Sequence, residues 1–125
     1  MASGWATSTV GKENRRTIVN TERAHPVATV RNLDALDDVI HQKVRLGVMS
    51  CLMASGEADF NFLKAALGVS DGNLSTHLTV LEENGYIHIR KEFVGRKPRT
   101  TYSPTPLGHR AFEAYVAALE ALVRS

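Results

Sequence analysis

The chain has 125 residues, of which 43% are hydrophobic and 22% charged, and a formal net charge of +2; this is the profile of a single soluble globular domain with one core. No apolar run approaches the roughly 20 residues that a membrane-spanning helix needs, and "MASGWATSTVGKENRR" has no apolar signal core, so a cytoplasmic protein with no membrane partner is expected. The lone Cys51 excludes an intrachain disulfide and a Cys-based metal cluster, and its setting in "LGVMSCLM" suits a buried structural thiol.

Residues 1–32 are polar, rich in Thr, Asn and Arg, and without a sustained period, which predicts a flexible basic N-terminal arm. An ordered domain is expected over 33–125. From Asn32 or Asp34, "LDALDDVIHQ" predicts a short helix with acids in its first turns and Leu36, Val39 and Ile40 on its apolar side. "KVRLGVMSCLMA" is apolar almost all round and predicts the central buried helix, ended by "SGE". Asp59 is a fitting N-cap for "FNFLKAAL", with Phe62, Leu63, Ala66 and Leu67 expected inward and Gly68 just past its end. Ser70 then caps a further helix, expected over 71–84, which stops at Glu83-Asn84-Gly85. Two helices joined by Gly68-Val69-Ser70 form a helix-turn-helix pattern.

The period next changes to two. Ile87, Ile89 and Phe93 alternate with His88, Arg90 and Glu92, with Lys91 the exception on the apolar side. "VGRKPR" reads as a turn and "TTYS" as a short second strand, giving a β-hairpin with a basic tip. Thr105 caps a last helix, 106–124, with Pro106 at its first position. Leu107, Ala111, Ala114, Ala118 and Leu122 lie on one side of it, beside Phe112, Tyr115, Val116, Leu119 and Val123. Together they cover more of the circumference than packing on one core requires, so a second copy of the chain is the expected partner. The expected dimer contacts are Leu36, Val39 and Ile40 near the N-terminus with Phe112, Tyr115, Val116, Leu119 and Val123.

Charge is unevenly distributed. Residues 86–104 carry Arg90, Lys91, Arg96, Lys97 and Arg99 against Glu92 alone, and residues 1–33 carry five cations against two acids; the remainder is net acidic. Two basic segments on an acidic body suit an anionic partner. The helix over 71–84 has a second peculiarity. Opposite Leu74, Leu78 and Leu81 it carries Asn73, Ser75, Thr76, Thr79 and Glu83, with His77 and Val80 on the flanks, where solvated faces are usually rich in Lys and Glu.

The order helix, helix, helix-turn-helix, hairpin, helix is that of a winged helix. With "DFNFLKAALGVSDGNLSTHLTVLEENGYI" and "KEFVGRKPRTTYSPTPLG", the chain from Leu33 onward resembles the small single-domain winged-helix transcriptional regulators of the MarR and ArsR type. The resemblance implies an α+β, mainly α fold with a basic wing and with N- and C-terminal dimerisation helices. It implies a homodimeric, double-stranded-DNA-binding regulator, usually a repressor. The second helix of the motif would enter the major groove, and the wing over 94–99 would lie on the backbone or in the minor groove. Short side chains let such a helix approach base edges closely, which accounts for its polar face. Ser70, Asn73, Ser75, Thr76, His77, Thr79 and Val80 are then the expected DNA-facing residues of the helix. Arg90, Lys91, Arg96, Lys97 and Arg99 are those of the wing. The helix has no Arg or Lys, so guanine-specific contacts would have to come from the wing or the arm. Pro104, where the pattern usually has an aliphatic residue, bears on the length of the second strand.

Three other readings bear comparison. His109 with Glu113, and Asp37 with His41, stand at i, i+4 spacing, but two ligands fall short of a closed metal site, so no metal or other cofactor is expected. MarR-like dimers can take a small-molecule effector, and none is named by these residues. A winged helix can also serve as a protein-interaction module, though such modules usually lack a basic tip like "GRKPR". No Gly-rich phosphate loop, nucleophile elbow or metalloprotease motif occurs, so no catalytic residue is expected.

Overall fold

The computed structural model describes residues 33–124; the expected arm, 1–32, lies outside the described residues. The chain divides into two compact units. The larger, Asp37–Ala114, contains the helix-turn-helix and the sheet. The smaller, among the described residues, comprises 33–36 and 115–124. Four helices are found in chain order among the described residues: α1 (Lys43–Ser55), α2 (Phe60–Leu67), α3 (Asp71–Glu83) and α4 (Pro106–Arg124). Three strands, β1 (Ala58–Asp59), β2 (Ile87–Val94) and β3 (Lys97–Pro104), form an antiparallel sheet in the order β1-β3-β2.

The helix expected from Asn32 or Asp34 is corrected. Residues 33 and 34 are helical, but turns and bends carry the chain through 35–42. Asp37 is the physical reason. Its Oδ1 accepts from the Val39 and Ile40 amides at 2.8 and 3.1 Å, offering those donors an alternative to a helical ladder. Its Oδ2 accepts a short hydrogen bond from the Tyr86 hydroxyl. Gln42 is extended and its Oε1 takes the Arg45 amide at 2.9 Å, so α1 begins afresh.

α1 is the central helix, with Val48, Met49 and Leu52 fully buried and Val44 and Cys51 packed on the same core. It ends at Gly56, whose φ of 85° favours glycine. Asp59 caps α2 by accepting from the Phe62 amide at 2.8 Å, and Gly68 closes it in the left-handed conformation. The inward side of α2 differs from expectation. Leu63 is buried and Phe60 and Leu67 pack beside it, whereas Phe62 and Ala66 are exposed. Once Asp59 fixes the start, positions 60, 63 and 67 align on one stripe, and 62 and 66 fall about 100° around the helix.

Leu74, Leu78 and Leu81 of α3 join this core with Ala58, Ile87 and Tyr102. The hairpin is longer than expected. The turn is only Gly95-Arg96, and Lys97, Pro98 and Arg99 occupy ladder positions opposite Val94, Phe93 and Glu92. Proline's fixed φ is compatible with an extended strand, so Pro98 does not break it. Phe93, expected on the apolar side, lies beyond the core and is exposed. β1 pairs Ala58 with Tyr102 and Asp59 with Thr101, a third strand that so short a segment does not announce. Thr105 joins the hairpin to α4: its Oγ1 accepts from the Gly108 amide at 2.9 Å and donates to the Gly85 carbonyl at 2.6 Å.

Candidate nucleic-acid interface

α3 is fixed at its start by Ser70, whose Oγ accepts from the Asn73 amide at 3.1 Å. Its leucine stripe is buried, so the opposite face is held outward. Ser70, Asn73, Ser75, Thr76 and Thr79 are exposed, and Val80 is half-buried. Thr76 Oγ1 donates to the Gly72 carbonyl at 2.9 Å, and Thr79 Oγ1 to the Ser75 carbonyl at 3.0 Å. With its hydrogen directed inward, each hydroxyl offers outward an acceptor oxygen and a methyl group. The face is therefore acceptor-rich and partly apolar, and its charged group is Glu83, exposed at its C-terminal end.

His77 is half-buried and turned towards α1. Its Nδ1 lies 3.0 Å from Arg45 Nη1, while Arg45 Nε donates to the Val39 carbonyl at 2.5 Å. A guanidinium can only donate, so Nδ1 accepts and the ring hydrogen sits on Nε2. Burial, and then the Arg45 charge, hold the imidazole below its usual pKa of 6.5, so it is neutral at neutral pH. Arg45 thus braces the α3 flank from behind. The sequence reading missed it because the pairing spans 32 positions and joins two helices.

The wing cations separate into two groups. Arg90 faces Glu57 at 3.3 Å and Glu92 at 3.5 Å, and Arg99 Nε lies 3.8 Å from Asp59. Lys91, Arg96 and Lys97 are exposed and make no ion pair among the described residues. Glu57 and Asp59 come to the hairpin through β1, and that strand was the missed signal. Asp59 does double duty: Oδ1 caps α2 and Oδ2 faces Arg99. Positive charge is therefore partly neutralised at Arg90 and Arg99 and left free at Lys91 and at the tip residues Arg96 and Lys97. At the other end of the motif, Lys64 and Asp71 pair at 2.8 Å in the open, bridging the end of α2 and the start of α3.

The residues expected at a contact between copies are spread over a range of exposures. Ile40 is fully buried within one chain, Leu36 and Tyr115 are buried, Val39, Phe112, Val116 and Leu119 are half-buried, and Val123 is 76% exposed. Of the two carboxylate–histidine pairs weighed as metal ligands, Asp37 has both oxygens occupied by the Tyr86 hydroxyl and the Val39 and Ile40 amides. No helix among the described residues is long and apolar enough to cross a membrane.

Known proteins place this geometry. An uncharacterized protein of Methanocaldococcus jannaschii is 32% identical over 78 residues, 62% of this chain and 85% of that one. The structure of a transcriptional regulator homologue from Pyrococcus horikoshii superposes with a TM-score of 0.70 at 28% identity, covering 75% of this chain and 95% of that one. A MarR-family transcriptional regulator from Enterococcus faecalis shares the fold at a TM-score of 0.60 and 24% identity, covering 81% of this chain and 87% of that one. Residues 44–123 match the family model of the winged helix DNA-binding domain. That match spans both helices of the helix-turn-helix, the wing and nearly all of α4, and the chain accordingly belongs to the winged helix DNA-binding domain family, as a DNA-binding transcriptional regulator.

Proposed function

We propose that the protein acts as a cytoplasmic homodimeric repressor of transcription, binding a pseudo-palindromic duplex whose half-sites lie about one helical turn apart. α3 enters the major groove, and the hairpin tip follows the backbone into the adjoining minor groove. The observation that supports this reading is the juxtaposition of a short-side-chained α3 face that lacks Lys and Arg with a hairpin that leaves Lys91 and the tip residues Arg96 and Lys97 without an ion pair among the described residues. Sequence preference comes from α3. Thr76 and Thr79 present acceptors and methyls that suit exocyclic amino groups and the thymine methyl, and exposed Asn73 is placed to read adenine. The tip supplies salt-dependent affinity with little base preference.

The test is fluorescence anisotropy with the duplex upstream of the protein's own gene, titrated at several salt concentrations. Wild type should bind with a steep salt dependence. Arg96→Ala/Lys97→Ala should flatten the slope by close to two units, about 0.9 per lost phosphate contact. Thr76→Ala/Thr79→Ala should leave the slope and reduce discrimination against scrambled duplex. Absence of salt-dependent duplex binding would overturn the reading in favour of a protein-interaction module.

A further inference from the structure

The hairpin tip also carries an apolar pair. Phe93 is 74% exposed, and the strand register sets it directly opposite Pro98. Directly opposed residues share a face, and alternate residues along a strand share it too. On that face of β2 lie Ile87, which is buried, Ile89, which packs on the core opposite Tyr102, then Lys91 and Phe93. The Phe93–Pro98 pair therefore continues the core-facing side of the hairpin, the side on which Leu78 and Leu81 of α3 pack, past the point where the core ends.

A phenyl ring this exposed has surface to bury, and its neighbours restrict what can cover it. Lys91 precedes it on the same face, Arg96 forms the turn, and Lys97 opens β3, none of them ion-paired among the described residues. A second copy seated tip to tip would bring like charges together. An occupant that is anionic at its rims and apolar along its walls fits both features. The minor groove of duplex DNA has that construction, with phosphates at the edges and deoxyribose along the sides.

We propose that Phe93, backed by Pro98, is an apolar wedge that packs against the deoxyribose walls of the minor groove beside the half-site read by α3, while Lys91, Arg96 and Lys97 hold the flanking phosphates. Apolar side chains at such sites are an established means of gripping and deforming the groove. The inference rests on the duplex-binding reading above and adds to it a contact that contributes affinity without releasing counterions.

That separation makes it testable with the full chain, the duplex upstream of its own gene, and hydroxyl-radical footprinting. Phe93→Ala should weaken binding roughly tenfold at every salt concentration, because the lost burial is apolar. The salt slope should stay as in wild type, and sugar protection should vanish at the outer flank of each half-site only. Phe93→Leu should restore most of the affinity, and both variants should melt as wild type does. If wild type binds the duplex and Phe93→Ala matches it in affinity and footprint, the wedge is overturned and the duplex reading stands. If wild type shows no salt-dependent duplex binding, both fall. If Phe93→Ala instead changes the sedimentation of the free protein, the ring belongs to a contact between copies and the wedge is overturned.

Discussion

A methyl group added at Gly108 would clash with the carbonyl oxygen of Tyr86, a backbone atom that cannot swing aside. The reason is the Thr105 junction: the Thr105 amide donates to that same carbonyl at 3.1 Å, drawing the first turn of α4 against the end of α3. Gly108→Ala should therefore destabilise the fold by about 3 kcal/mol, the upper part of the usual range for overpacking, as read from the urea midpoint. Tyr86 itself is held by its hydroxyl, which donates to Asp37 and thereby ties the segment before α1 to the segment after α3. Tyr86→Phe should cost about 1–2 kcal/mol, in keeping with a partly buried hydrogen bond to a carboxylate. The pH dependence has a definite sign. The hydrogen bond to Asp37, with burial and the Asp37 charge adding to it, pushes the phenol from 10.0 up to about 12. The folded phenol thus keeps its proton where the unfolded one has lost it. The wild-type advantage over Tyr86→Phe is complete below pH 10 and is lost as the pH rises through 12, which chemical unfolding across that window measures. Neither residue is conspicuous in the sequence. "ENGYI" reads as a helix stop, and the partners that give Tyr86 its role lie 49 positions upstream, at Asp37, and 22 downstream, at Gly108.

At the scale of the element, the hairpin gathers its charge unevenly, and the unevenness has measurable consequences. Lys91 and Arg90 are neighbours in the sequence but point to opposite faces, and only Arg90 meets acids, Glu57 from the segment before β1 and Glu92 from its own strand. Lys91→Ala should lower the salt slope of duplex binding by close to 0.9, whereas Arg90→Ala should lower it by less than half as much. Glu57→Gln should steepen the slope by releasing Arg90, and should change stability by at most about 0.5 kcal/mol because the pair is exposed. Anisotropy titrations at several salt concentrations distinguish the three. In the sequence all five cations count as free to meet a phosphate, since composition counts charges without their partners. The elements themselves were legible where a cap and a period agreed. Asp59, Ser70 and Thr105 each cap the helix they were expected to cap, and Leu74, Leu78 and Leu81 are all buried. Legibility failed over 35–42, where Asp37 takes the amides that a helix would have used. It failed again at β1, two residues long, whose pairing is wholly non-local.

At the scale of the molecule, the proposed self-association would rest on α4. Val123 is 76% exposed near its end and Leu107 is exposed near its start, although both belong to the apolar side of the helix. Sedimentation velocity should find wild type as a dimer. Val123→Glu should shift it towards monomer at the same concentration, because a carboxylate in an apolar contact must be desolvated without a partner. The thermal midpoint extrapolated to low concentration should not move, since Val123 contributes little to the packing of a single chain. Duplex binding should weaken in the same variant, because two linked half-site contacts raise the effective concentration of the second.

Much of this protein was determined by its sequence alone. The leucine stripe and polar face of α3, the glycines and caps that bound the helices, the change of period at Ile87 and the cations of "GRKPR" are local signals, and each is imposed by the chain on itself. They sufficed to give a winged helix and its direction of charge. Tertiary structure decided which cations are neutralised by acids on and just before β1, that Arg45 braces His77, that Asp37 serves Tyr86 rather than a helix, and that Phe93 stands clear of the core. Those outcomes depend on which distant groups arrive within a few ångströms of one another. Hydrogen bonds, ion pairs and burial all act over that range, and no periodicity along the chain encodes it.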